Sequence, residues 1–428
     1  MSRTLLALAL IFLAPAAASQ PVSLHAPCVL HGEAVAPDVD PATLSRLATH
    51  TVVTRRSATF EVTYTGFTAE AEAAFQRAVD IWADHLTSTV PIRVTASFAP
   101  LGSGVLGSAG PLSAYSGRPQ FPLPDTLYPD ALADALVGSS QGGTSADIQA
   151  RFNSSFGGFY FGLDGDPPSN RYDFVTVVLH ELGHGLGFIG SARYDDGTDP
   201  AECTGTEGIG CWGFGGRPIV FDRFVEDGAG NEFLDTSLYP NPSQALGDLL
   251  IADDLFFDGA TLTATQGGFA PPVYGPTPFR TGSSYSHFDE GTFVGTADAL
   301  MTPFIAPGEA YSSPGVTTCA LFSDLGWPLG DGCQFLVADE RGAAAASALR
   351  LGSANPARGA AVLSLSLDAP GPVRADLLDA LGRRVTTLFS GQAAGEVRLR
   401  TPSDLAPGAY VVRVTTDAGT SSAPIVRL

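Results

Sequence analysis

The chain has no lysine: all 23 of its basic residues are arginine, set against 44 acidic ones, for a formal net charge of −21. A surface this acidic repels phosphate backbones and anionic headgroups, which excludes nucleic acid and anionic membranes as expected partners. Long hydrophobic runs are also missing. The apolar segment from Leu5 to Leu13 is too short to span a bilayer, and no later stretch reaches the ~18 apolar residues a spanning helix needs. Cysteine is limited to five residues, histidine to seven and methionine to two, so few side chains are available for metal or thiol chemistry. What is present is ample apolar material, 44% of 428 residues, enough for two domains and a third small one.

Arg3, the run Leu5–Leu13 and the small residues Ala16, Ala17 and Ala18 read as a signal peptide over residues 1–18, so export is expected, to the exterior or transiently the outer-membrane surface. Export permits disulfides. Joining each cysteine to its sequence neighbour gives Cys203–Cys211 and Cys319–Cys333 and leaves Cys28 alone, the simplest of several connectivities.

Residues 19–53 are rich in proline and alanine, show little periodicity and end near Arg55 and Arg56, as a pro-segment would. "ATFEVTY" then alternates like a strand. In "TAEAEAAFQRAVDIWADHL", Ala71, Ala74, Phe75, Ala78, Ile81 and Trp82 recur at helical spacing behind a capping Thr68. "VPIRVTASF" and "ADIQARFN" read as further strands, whereas residues 100–125 and the rest of 138–170, rich in Gly, Pro and Ser, read as loops. The expected class is α+β, a layered catalytic domain over 54–337, a linker at 338–350 and a small all-β sandwich over 351–428 punctuated by Pro-Gly at 370–371 and 407–408.

The chemistry is concentrated in "VVLHELGHGLGFIG", residues 177–190. His180 and His184 frame Glu181 as H-E-x-x-H, and on a helix residues four apart stack, so both imidazoles can reach one ion while Glu181 turns towards a water beside it. Gly183 and Gly185 cost about 1 kcal/mol each relative to alanine, which points to close backbone packing there. The extended signature H-E-x-x-H-x-x-G-x-x-H would put a third histidine at 190, where the chain has glycine. Catalytic zinc normally takes three protein ligands and a water. His287 is the one histidine that follows His184, about a hundred residues on; Glu202 and Glu226 are acidic alternatives. The plain alternative is a pair of core histidines with a solvated glutamate.

"HELGHGLGF", a long insertion, then "SHFDE", "DALMTPF" and "CALFSDLGW" together resemble the leishmanolysin-like branch of the metzincin zinc metallopeptidases, over roughly residues 54–330. The resemblance implies a metzincin-like fold with an insertion at about 191–286. It also implies one Zn2+ on His180, His184 and His287, Glu181 as catalytic general base, Met301 in a turn beneath the site, and a protein or peptide substrate. It further implies a pro-segment cysteine over the open zinc position, a role for which "HAPCVLH" offers Cys28; the alternative is a structural cysteine. No tyrosine directly follows Met301, and Tyr311 is either a transition-state donor or an ordinary aromatic. "YDDGTDP" and "LDGDPP" contain acids that could hold calcium, but their spacing fits solvated turns better.

"ANPARGAAVLSLSL", "DALGRRV" and "LAPGAY" resemble the C-terminal sorting domain of the type IX secretion system, which implies that machinery as a partner. A generic sandwich binding carbohydrate or protein is the alternative. The expected activity is a secreted zinc endopeptidase; the rival is a secreted adhesin or binding protein with a vestigial zinc site.

Overall fold

The computed structural model describes residues 21–24, 28–32, 57–198, 203–334, 347–351 and most of 360–427. The signal peptide, most of the pro-segment, Glu202 and Asn355-Pro356 lie outside the described residues.

After β1 (Val22–Ser23) and β2 (Cys28–Gly32) come β3 (Phe60–Thr65), α1 (Ala69–His85) and β4 (Ile92–Ala99). Next follow β5 (Val105–Pro111), β6 (Ser113–Tyr115), β7 (Tyr128–Pro129), α2 (Asp130–Val137) and β8 (Ile148–Asn153). The short β9 (Phe159–Tyr160) and β10 (Tyr172–Asp173) lead into α3 (Phe174–Leu186). β3, β4 and β8 are parallel, and β5 returns antiparallel along β8. α1 starts where the periodicity places it: the Thr68 hydroxyl accepts from the Ala71 amide, and Ala71, Ala74, Phe75, Ala78, Ile81 and Trp82 are all buried.

Two expectations need correction. The stretch 100–125 is not simply loop, because its Gly- and Ser-rich part forms β5, buried along most of its length. Small residues are required there: a Cβ on Gly107 would stand 3.0 Å from the Phe152 ring and 3.2 Å from Cγ of Glu181. Propensity misreads a strand whose composition is set by what presses on it. Nor is 19–53 featureless. Cys28–Gly32 lies inside the main six-stranded sheet, antiparallel to β5 and parallel to a later strand at Phe304–Ile305, in the order Phe304–Ile305, β2, β5, β8, β4, β3.

The region 191–286 contributes β11 (Arg193–Asp195), β12 (Ile209–Cys211), β13 (Val225–Asp227), α4 (Gln244–Leu250), β14 (Leu255–Phe257) and α5 (Ala260–Thr265). It shares one hydrophobic core with the sheet and α3, through Ile219, Phe221, Phe233 and Phe257. α6 (Glu290–Phe293), β15 (Phe304–Ile305) and α7 (Gly315–Leu325) complete this part. The disulfides are Cys203–Cys211 and Cys319–Cys333, as neighbour pairing expects, and Cys28 is free and buried.

The C-terminal residues form a five-stranded antiparallel sheet with its own core around Leu363, Leu365, Leu377, Val412 and Ile425. Pro370-Gly371 does not end a strand: one long strand, Val362–Asp379, runs through it with a register shift between Leu367 and Gly371. Among the described residues the molecule is thus mixed α and β, and no helix is long and apolar enough to cross a membrane.

Candidate metal centre

α3 is a helix despite its β-branched entry because both ends are fixed. Asp173 caps the N-terminus, its carboxylate accepting from the Thr176 amide at 2.8 Å and the Thr176 hydroxyl at 2.6 Å. Gly187 ends it at φ 125°, a region that favours glycine, with its amide on Gly183 and His184 carbonyls. Two indoles hold its flanks: Trp82 donates to the Leu179 carbonyl at 2.9 Å and Trp327 to that of Leu186 at 2.8 Å. The helix glycines allow close contact, as their cost implied. A Cβ on Gly183 would meet Met301 Sδ at 2.8 Å, and one on Gly185 would meet Ile148 Cγ2 at 2.4 Å.

The chain leaves this helix and returns to it at one place. The Gly190 amide donates to the Ser286 hydroxyl at 3.1 Å, and a Cβ on Gly190 would stand 2.2 Å from the Tyr285 ring. His287 therefore sits against the helix despite its distance in sequence. The Nε2 atoms of His180 and His184 are 2.9 Å apart, those of His184 and His287 3.1 Å, and those of His287 and His180 3.2 Å. Each Nδ1 has a backbone carbonyl partner: Leu300 for His180 at 2.6 Å, Phe188 for His184 at 2.7 Å and Ser283 for His287 at 2.6 Å.

These second partners decide what the cluster can do. Each Nδ1 carries its proton to a carbonyl, so the three Nε2 atoms present lone pairs to one another with no proton between them. Three converging lone pairs repel unless a cation lies among them. Ligands ~2.0–2.1 Å from a tetrahedral zinc stand ~3.3–3.4 Å apart, close to the separations here, and the backbone anchors are the outer shell that metal-binding histidines use. Burial pushes His180 down to about 4, and burial with the neighbouring rings holds His184 well below the ordinary histidine range, so the basic form persists in mildly acid solution.

Glu181 is fully buried, and neither carboxylate oxygen has a hydrogen-bond partner. Burial raises its pKa well above the ordinary glutamate value, and the backbone of Ala109 and Leu30 acts in the opposite direction. Met301 is buried in a short 3-10 turn, Ala299–Met301, whose Leu300 carbonyl is the one holding His180. The Phe288 amide closes back on the Met301 carbonyl at 2.9 Å. Glu226 lies in β13, outside the histidine group. Tyr311 is buried near the start of α3, its amide on the Thr176 hydroxyl, in a cavity with Arg77, Asp164 and Asp173. Asp195 of "YDDGTDP" accepts from the amides of Gly197, Thr204 and Thr206, and Asp164 of "LDGDPP" from Tyr160 and Asp166, so both serve turns.

Cys28 stands beside Glu181 and Ser286 but outside the three-histidine group, and burial raises its thiol pKa. β2 thus crosses next to the site, and His180, Glu181, His184 and His287 are all at most 1% exposed.

A second group of chelating side chains was not legible in the sequence: Asp130, Asp134 and Asp147, all buried, with carboxylate oxygens within 4.8 Å of one another. The available signal was an acidic pair four residues apart in the otherwise apolar "DALADALV".

Among known proteins, the family described as SPBPB7E8-like matches residues 38–200, a span that includes His180 and His184 and stops short of His287. No curated protein matches the chain. Solved structures of a Ruminococcus gnavus β-glucuronidase, one in complex with uronic isofagomine and one with D-glucaro 1,5-lactone, align at 14% identity over 19% of this chain. Their TM-scores are 0.14 and 0.13, and the aligned part spans only 14% and 15% of those chains.

Proposed function

We propose that the protein is an exported, zinc-dependent endopeptidase of the leishmanolysin-like metzincin type, held latent by its own pro-segment. The observation that carries this reading is the trio of buried imidazoles whose Nε2 atoms converge while every Nδ1 is tied to a carbonyl. His180, His184 and His287 would hold the ion. When bound, zinc supplies Lewis-acid chemistry, polarising a peptide carbonyl and acidifying water. The protein's own contribution is orientation and proton transfer. The carbonyls of Leu300, Phe188 and Ser283 fix the rings, and Glu181, one residue along the helix from His180, takes a proton from the attacking water and returns it to the leaving amine.

A substrate cannot reach residues this deeply buried. β2 lies along β5 beside Glu181, so release of the segment containing Cys28–Gly32 would open the site. Cys28 of that strand would serve as the latch by binding zinc as a thiolate, although without the ion burial favours its thiol. The two disulfides fit an oxidising, extracytoplasmic compartment. The C-terminal sheet is read, on its sequence resemblance alone, as an export address for the type IX machinery.

The test is zinc per chain and chelator-sensitive hydrolysis of a denatured protein, before and after removal of the pro-segment. About one zinc and activity that appears on processing are expected. A zinc-loaded, processed chain that cleaves nothing would favour the binding-protein reading.

A further inference from the structure

Asp130 and Asp134 stand one turn apart on α2, facing the same side. Asp147 is the residue before β8; its amide binds the Arg93 carbonyl of β4 at 2.8 Å, and its carbonyl accepts from Leu112 at 2.9 Å. The three carboxylates therefore meet where α2, the main sheet and the small sheet of β1, β6 and β7 join. Each has an oxygen without a partner: Oδ1 of Asp130, Oδ2 of Asp134 and Oδ1 of Asp147. The other oxygens of Asp134 and Asp147 accept from the amides of Gln141 at 2.6 Å and Arg93 at 2.7 Å.

Asp130 is the informative member. It is 1% exposed, and its Oδ1 is buried with no hydrogen-bond partner. The charges that act on it, Asp147 and Asp134, are both of its own sign. The Arg93 charge favours the ionised forms of Asp134 and Asp147, but its guanidinium hydrogen-bonds outside the cluster, with Glu61 at 3.1 Å and the Gly143 carbonyl at 3.1 Å. The loop after α2 closes over the group: a Cβ on Gly142 would stand 3.2 Å from Asp130 Oδ2 and 3.3 Å from the Tyr115 hydroxyl.

Buried carboxylates are otherwise paired or coordinate metals. We propose that Asp130, Asp134 and Asp147 form a second metal site, for a calcium ion, separate from the three histidines and independent of the peptidase reading. An all-oxygen, hard donor set of three carboxylates favours calcium over zinc, which prefers nitrogen and sulfur ligands. Calcium holds its oxygens at ~2.3–2.6 Å, so ligand oxygens on one ion are at most about 5 Å apart, and those here fall within that spread. The ion would tie the 138–147 loop and α2 to the start of β8. The next residue, Ile148, packs on Gly185 beside His184, so the site braces the strand that supports the histidine helix.

The test uses the full chain with zinc kept saturating. Dialysis into calcium-free buffer followed by titration with calcium alone should show one calcium per chain and a Tm raised by about 5–10 °C at a hundredfold excess over Kd. Asp130→Asn, which keeps the shape and removes the charge, should lose that calcium and the Tm response while retaining zinc. If Asp130→Asn does not fold, terbium luminescence excited through nearby aromatics, displaced by calcium in the wild type, provides the second readout. A wild-type chain that binds no calcium at millimolar concentration, or an Asp130→Asn chain that binds it unchanged, overturns the proposal.

Discussion

Two buried triads lie in the same core, and they differ in how each sustains its burial. In the histidine group every Nδ1 is committed to a backbone carbonyl, and burial holds His180 and His184 below the ordinary histidine range. The aspartate group keeps an unpartnered oxygen on each member. An anchored imidazole triad gathers its lone pairs for a cation that would both relieve their repulsion and do chemistry. A triad of carboxylates needs a cation or protons simply to be buried. On the proposals above, triads of equal size would take two roles, one for reactivity and one for cohesion.

The sharpest way to separate ligand from reactant is Glu181→Gln. It keeps the side chain's shape and removes the proton acceptor, so peptidase activity of the processed chain should fall by about 10²–10⁴-fold with one zinc still bound. Loss of zinc along with activity would mean that Glu181 serves the site's structure instead. His287→Ala breaks the comparison from the other side. Zinc should fall from about one per chain to a small fraction, while calcium binding at the aspartates is unchanged, as metal analysis of the two proteins side by side would reveal. Equal zinc in both chains would sink the three-histidine assignment.

How far these clusters could be read from sequence follows from where their ligands come from. His180 and His184 announce themselves because a single helix supplies both, and α1 announces itself through Thr68 and the spacing of Ala71, Phe75, Ala78 and Trp82. His287 could be singled out as the one remaining histidine downstream, but its approach depends on the contact of Gly190 with Ser286 and Tyr285, which no local pattern encodes. Asp147 comes to Asp130 and Asp134 only through the sheet pairing that places β8 beside β4 and β5. β5 itself was hidden because contact with Phe152 and Glu181 leaves room only for glycine at 107, inside a run of small residues that reads as loop. The strand at Cys28 was hidden by its proline- and alanine-rich surroundings.

Two glycines offer a matched pair of smaller perturbations. Gly183→Ala drives a methyl into Met301 Sδ at 2.8 Å, and Gly142→Ala places one 3.2 Å from Asp130 Oδ2. The first should cost about 1–3 kcal/mol of stability and weaken zinc retention, since the methionine turn carries the Leu300 carbonyl that holds His180. The second should lower calcium affinity and leave zinc unaffected. Competition with a zinc chelator and with a calcium chelator, run on both variants, distinguishes the two; crossed effects would show that the clusters are coupled through β8.

Asp222 completes the comparison as a buried acid that is satisfied without a metal. Its Oδ1 accepts from the Ser191 amide and its Oδ2 from the Ile219 amide, both at 2.8 Å, with the Ser191 hydroxyl on the same oxygen. Burial still outweighs these donors and pushes its carboxyl from 3.8 to about 6. The folded chain therefore holds a proton more tightly than the unfolded chain. The associated stability is fully present below pH ~4 and is lost as pH rises towards about 6. Tm measured at intervals from pH 4 to 7, with zinc and calcium both saturating, should contain this decline in the wild type and lack it in Asp222→Asn. Because three protein donors already meet Asp222, calcium should not alter its share of the slope. A decline that calcium abolishes would instead assign the titration to the aspartate triad and remove Asp222 as the metal-independent reference.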